Sequence, residues 1–119
     1  MAKKIKCIVK RPDEQFGHVT WISDSLKNLS NTVGGYIETV TLPEHNLVLI
    51  CNEEGKLRDM PYNFTLRFLH YFNPTDAVEV RPHQMIFGTV IACGAEEDQL
   101  ADIPIDFNEW KSLLCEWGN

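Results

Sequence analysis

Between Val33 and Asn63 the chain reads VGGYIETVTLPEHNLVLICNEEGKLRDMPYN, and this segment confines it to sheet-forming architectures. Tyr36, Glu38, Val40 and Leu42 alternate with Ile37, Thr39 and Thr41, the two-residue period of a strand. After a turn over residues 43–46, the run LVLIC at 47–51 is apolar without a break, which predicts a central strand buried on both faces. Asn52, Glu53, Glu54 and Gly55 have the composition of a tight hairpin connection. Gly55 takes the positive backbone angle there, and residues 56–58 return as a strand.

The flanking segments extend this pattern. KIKCIVK sets Ile5, Cys7 and Val9 against Lys4, Lys6, Ile8 and Lys10, a strand with one wet face. A loop with Pro12 and Gly17 leads to HVTWI, a second strand antiparallel to the first. Ser23 or Asp24 caps a helix that carries Leu26, Leu29 and Val33 on one side, and Gly34 stops it by accepting the left-handed conformation. Asn63 is placed to cap a short helix through residue 71 that buries Phe64 and Phe68, with an aromatic-rich loop as the alternative.

Residues 73–76 turn and 78–80 extend. Residues 85–93 predict one further strand with Gly88 as a bulge, and residues 94–104 an acidic loop. The final stretch, DFNEWKSLLCEW, begins with Asp106 as cap and Glu109 three residues on. It places Phe107, Trp110, Leu113, Leu114 and Trp117 at helical spacing, giving a C-terminal amphipathic helix. The expected fold is α+β, a single domain over residues 1–119. It comprises a mostly antiparallel sheet of about five strands with two or three helices on one face.

Composition narrows the class. With 119 residues, 44% apolar and 24% charged, the chain can bury one proper core without staples. The longest purely apolar run is too short to cross a bilayer, and MAKKIK is not followed by the apolar block of a signal peptide, so a cytoplasmic location is expected. Cys7, Cys51, Cys93 and Cys115 lie far apart among apolar neighbours and read as small core residues of a reducing compartment. No CxxC or close His pair offers metal-ligand spacing, so no metal is expected.

The net charge of −6 arises from the last quarter, where seven acids face Lys111 alone, while residues 1–93 carry ten bases and ten acids. Glu96, Glu97, Asp98 and Asp102 head this acidic surface. Should the basic start of the first strand lie beside it, the two neutralise each other. Should it not, an acidic face repels nucleic acid and attracts proteins that bind it.

Chemistry has few candidates. Gly34 and Gly35 can bring amides near an anion, yet they follow a helix C-terminus, the end of wrong polarity for a phosphate. Glu53 and Glu54 at a wet tip stay ionised and unsuited to acid and base roles. Cys51, in an apolar strand, has no cause to ionise, whether His45 or His70 served as base. No nucleotide-loop, zinc-protease or nucleophile-elbow motif occurs, so neither an enzyme nor a cofactor is expected.

The order VGGYIE, then an apolar strand closed by CNEEGKL, then PYN, then IFGTVIACG resembles a small domain family of unknown function encoded largely by bacteriophages, plasmids and conjugative elements. That resemblance implies a non-enzymatic accessory protein that binds a host protein or complex, including an anti-defence inhibitor that uses the acidic surface. The alternative it leaves open is binding of a nucleotide-like small molecule, with Asn52, Glu54, Lys56 and Asn63 around Gly34, Gly35 and Tyr36, and Glu53 at the same tip. Direct nucleic-acid or membrane binding is not expected; a homodimer contact through strand edges or the last helix is.

Overall fold

The computed structural model describes residues 3–66, 71–72, 78–79 and 84–117. Strands β1 (Lys4–Lys10), β2 (His18–Ser23), β3 (Ile37–Leu42), β4 (Leu47–Asn52) and β9 (Val90–Glu96) run side by side in the order β2-β1-β9-β4-β3, with β10 (Gln99–Ala101) against β9. Every pairing is antiparallel. The pairs β5 (Tyr62–Leu66) with β8 (Gln84–Phe87) and β6 (Tyr71–Phe72) with β7 (Val78–Glu79) form two small additional sheets. Two α-helices, α1 (Leu26–Val33) and α2 (Phe107–Glu116), complete the described residues, with a short 3-10 turn at Pro43–His45. The fold is α+β.

Both helices start and stop for visible chemical reasons. Ser25 Oγ accepts the Asn28 N–H at 3.3 Å to open α1, and Gly34 closes it at φ 83°, returning its N–H to Ser30 O at 2.8 Å. Asp106 Oδ1 accepts the Glu109 N–H at 2.8 Å and opens α2. The expected capping residue of α1, Ser23 or Asp24, gives way to Ser25 because Ser23 is still paired in β2.

The helices lie on opposite faces of the sheet, not on one. Alternation sends Ile5, Cys7, Val9, Val48, Ile50, Ile91 and Cys93 to the side covered by Leu29 and Val33 of α1. Ile8, Leu47, Leu49, Cys51, Val90 and Ala92 meet Trp110, Leu113, Leu114 and Trp117 of α2, joined by Phe64, Leu66 and Ile86 from the β5–β8 pair. Phe64 stacks on Trp117 with centroids 5.7 Å apart and meets Trp110 edge-on at 6.3 Å. This is the larger of the two cores.

Four further expectations are corrected. Residues 53–59 form a series of turns in which the positive φ falls at Asp59 and not at Gly55, and the chain does not return as a strand at 56–58. Residues 62–66 are strand β5 in place of a helix capped by Asn63, because Phe64 and Leu66 point inward at strand spacing; Tyr71, the expected helix end, is in β6, and residues 67–70, like the turn at 73–76, lie outside the described residues.

The segment expected as one strand is broken at Gly88, φ 78°, into β8 and β9. The acidic loop is a tight hairpin instead: Glu97 and Asp98, at φ 49° and 65°, join β9 to β10. β10 takes the place beside the upper part of β9 that β1 would otherwise fill. Lys6 N–H donates to Asp102 Oδ1 at 2.9 Å and Ile103 N–H to Lys6 O at 2.8 Å, so β1 is stitched to the chain that follows β10.

Candidate functional site

The diglycine and the Asn52 turn are brought together. Asn52, 5% exposed, donates from Nδ2 to Val33 O at 3.1 Å and accepts the Glu54 N–H on Oδ1 at 2.7 Å. Glu53 N–H donates to Tyr36 O at 2.8 Å, and Arg58 Nη1 to Gly34 O at 3.3 Å. Gly35 permits this approach, since a Cβ there would sit 2.9 Å from Asn52 Nδ2. The bonds fasten the end of α1 and the start of β3 to the end of β4. Around them Tyr36, Glu53, Glu54 and Lys56 are exposed, and the recess beside Glu53, Lys56 and Met85 holds only about 80 Å³. A space of that size takes water rather than a ligand.

Asn63 is engaged elsewhere. The β5–β8 register slips between Tyr62 and Phe64, and this bulge leaves Asn63 unpaired in the ladder with its amide turned inward. Its Nδ2 donates to Lys10 O at 2.9 Å and to Gly88 O at 2.8 Å. Its Oδ1 accepts from Lys10 Nζ. Both N–H groups of the amide are thereby used, and they clamp the end of β1 to the Gly88 break.

Lys10 is the residue the sequence reading placed on a wet face. It is 2% exposed. The even-numbered face of β1 is open at Lys4 and Lys6 but roofed at Ile8 and Lys10 by the larger core. The Lys10 ammonium lies 5.6 Å from the centroid of the Phe64 ring, in cation–π range. Burial lowers the affinity of this amine for its proton, while Glu14 and then Asp13 act in the other direction. Among the described residues no carboxylate forms an ion pair with it.

Beside Lys10 opens a cleft of about 270 Å³, walled by Pro12, Glu14, Gln15, Phe16, Asn63 and Leu114, with Cys115 at its edge. The 11–17 loop holds its shape through local bonds. Glu14 Oε1 accepts the Arg11 N–H at 3.0 Å and Oε2 pairs with His18 Nδ1 at 2.9 Å, a bond that chiefly accounts for the lowered pKa of Glu14. Gly17, at φ 85°, lies where a Cβ would be 2.5 Å from Val9 O, so no other residue fits without moving β1. Trp110 Nε1 donates to Phe16 O at 2.7 Å and ties this wall to α2. The one signal in the sequence was Ile8: an apolar residue in the lysine row marks where that face becomes covered.

The remaining candidates are dispersed. Glu96, Glu97, Asp98 and Asp102 are all exposed, but Asp102 already binds the Lys6 amide, and Lys3 shares a surface depression with Glu96 and Glu97. The basic start of β1 therefore adjoins the acidic hairpin. Cys7, Cys51 and Cys93 are buried, whereas Cys115, expected in the core, is exposed; desolvation pushes the three buried thiols up to about 11, 11 and 12. Cys51 is thus protonated at neutral pH, its thiol directed at Glu38 O, 3.7 Å away. No group of acids, histidines and cysteines suited to a metal occurs among the described residues, nor does any described helix have the length and apolarity to cross a membrane.

An antiparallel α+β domain with one desolvated lysine in an open cleft is the class defined by fold and site. The chain belongs to the family described as Domain of unknown function (DUF3846), which matches residues 5–114. No curated protein and no solved structure gives a significant match.

Proposed function

We propose that this domain is a non-enzymatic binding protein whose cleft beside Lys10 receives a small molecule through an acidic group, phosphate or carboxylate. The observation that carries the reading is a lysine 2% exposed, lining a cleft of about 270 Å³, with no described carboxylate in an ion pair with it. A desolvated cation is stabilised by an anion brought to it, and the same burial strengthens that attraction. The volume lies just under the usual range of ligand pockets, about 300–1,000 Å³, which suits a compact acidic headgroup whose remainder reaches solvent. Phe16, Leu114 and Pro12 give the apolar contact for its body. A nucleotide-like ligand meets this description, with Lys10, oriented by Asn63, in place of the exposed NEEGKL tip.

The wider setting follows the family resemblance: an accessory protein of phage or mobile-element type, acting in the host cytoplasm by holding a ligand or a host component. An acidic face that imitates nucleic acid finds less support, because Lys3 and the Lys6 backbone adjoin the acidic hairpin.

A thermal-shift series with nucleoside mono- and diphosphates, inorganic phosphate and small carboxylates tests the cleft. A ligand selective for the native state at a hundredfold excess over its Kd stabilises by about 2.7 kcal/mol. The expected result is stabilisation by at least one phosphate or carboxylate that disappears in Lys10→Met. Stabilisation retained in Lys10→Met, or none across the series, refutes the reading.

A further inference from the structure

β2 ends one side of the main sheet and, among the described strands, is bonded to β1 alone. Soluble proteins guard such margins with lysines, prolines, bulges or very short strands. β2 has none of these. It is six residues long, HVTWIS, without proline or permanent charge, and its register with β1 runs from Lys4↔Ser23 to Val9↔His18 without a slip. The opposite margin differs. β3 carries the exposed carboxylate of Glu38, and Pro43 follows it directly.

The side chains of β2 add a second observation. Val19 and Trp21 are 42% and 58% exposed, and being two residues apart they share a face, the one that also carries Lys6 and Ile8 through cross-strand pairing. Side chains directly opposite in an antiparallel pair lie on the same face, so a strand pairing with its own copy about a twofold axis must match residues of like parity. When the axis passes at Thr20, Val19 faces Trp21 of the second copy and Trp21 faces its Val19. His18 then faces Ile22 on the other side. Both exposed apolar side chains are covered at once, each by a member of the aromatic and β-branched pairing that stabilises sheets.

We infer that β2 is a self-pairing edge, through which two copies of the chain join antiparallel across a twofold axis near Thr20 and continue one sheet into the next. The interface uses neither the Lys10 cleft nor α2, so it stands independently of the ligand reading. The occupant is a second copy because the edge is complementary to itself. Val19 and Trp21 exchange places under the axis, and no fixed charge within β2 repels its own image.

The test is sedimentation velocity of the full chain over a concentration series, with circular dichroism confirming that each variant is folded. The wild type is expected to show a concentration-dependent dimer. Trp21→Lys and, separately, Val19→Lys are expected to raise its dissociation constant about tenfold or more, since each places a cation in the centre of the paired edge. Tyr36→Lys, at a 75% exposed aromatic just before β3, is expected to leave it unchanged. In a Cys7→Ala, Cys115→Ser background, which removes the thiol directly opposite Thr20 within the chain, Thr20→Cys is expected to give a disulfide-linked dimer on mild oxidation. A monomer at every concentration overturns the proposal, as does a dimer insensitive to both lysine substitutions or one dispersed by Tyr36→Lys. So does a monomer whose β2 amides gain exchange protection only with an added heterologous peptide strand.

Discussion

Asn52 and Asn63 are two buried amides, 5% and 6% exposed, set into the same sheet system with opposite consequences. Asn52 bonds only to neutral backbone groups, Val33 O and Glu54 N–H, and its role ends when two turns are fastened together. Asn63 also bonds to backbone, at Lys10 O and Gly88 O, but its remaining oxygen orients a desolvated ammonium beside a cleft. A buried amide satisfied wholly by main chain is architecture. One that holds a charge next to open volume leaves a capacity for binding, and this separates the NEEGKL turn from the Lys10 cleft more sharply than polarity does.

The comparison breaks first on stability. Asn63→Leu strips the buried ammonium of its acceptor and two carbonyls of their donor, and should cost about 3–5 kcal/mol in urea unfolding. Combining it with Lys10→Met should restore much of that loss, because the stranded charge is gone; strict additivity of the two changes would show that Asn63 does not serve Lys10. Asn52→Ala, which abandons neutral partners alone, should cost less, about 1–3 kcal/mol. A loss at Asn52 equal to that at Asn63 would erase the distinction.

Smaller effects sharpen it. Gly34→Ala should cost about 1–2 kcal/mol for the left-handed backbone and nothing for crowding, since the nearest atom to a new Cβ is Met60 Cε at 3.6 Å. Lys10 binds its proton less tightly in the folded chain than in the unfolded one, where its value is near 10.5. The unfolded state therefore holds more protons in the window between the lowered value and 10.5, and the Lys10 contribution to stability rises with pH through that window. Lys10→Met should remove this rise and Lys6→Met should not, as read from urea midpoints between neutral pH and pH 10.5. Finally, an aromatic disulfide reagent should modify Cys115 alone in the native protein, and any ligand of the Lys10 cleft should slow that reaction, because Cys115 lies on its rim.

Much of the sheet was legible in the residues because its signals are local. The alternation ahead of Pro43, the run LVLIC, the Gly34 stop and the Asp106 cap each act within a few residues of themselves. What escaped depends on distant packing. Lys10 alternates with apolar residues as any solvent-facing lysine does, and its cover includes Phe64 of β5 and Leu114 of α2, far along the chain. Asn63 before Phe64 imitates a helix cap, whereas the bulge that turns it inward arises from pairing with β8, some twenty residues later. The acidic hairpin reads as a loop because Glu97 is not a residue type that favours positive φ; only Asp98 belongs to the types enriched there, and the pairing of β10 with β9 imposes the turn.

The central position of β9 has a consequence for how the molecule is made. During synthesis the β1–β2 and β3–β4 hairpins emerge first, yet neither contacts the other in the sheet until Val90–Glu96 arrives to lie between them. From the emergence of Asn52 until Val90 follows, about forty residues later, the nascent chain therefore carries two hairpins not yet joined in the sheet, and assembly waits on a keystone delivered late.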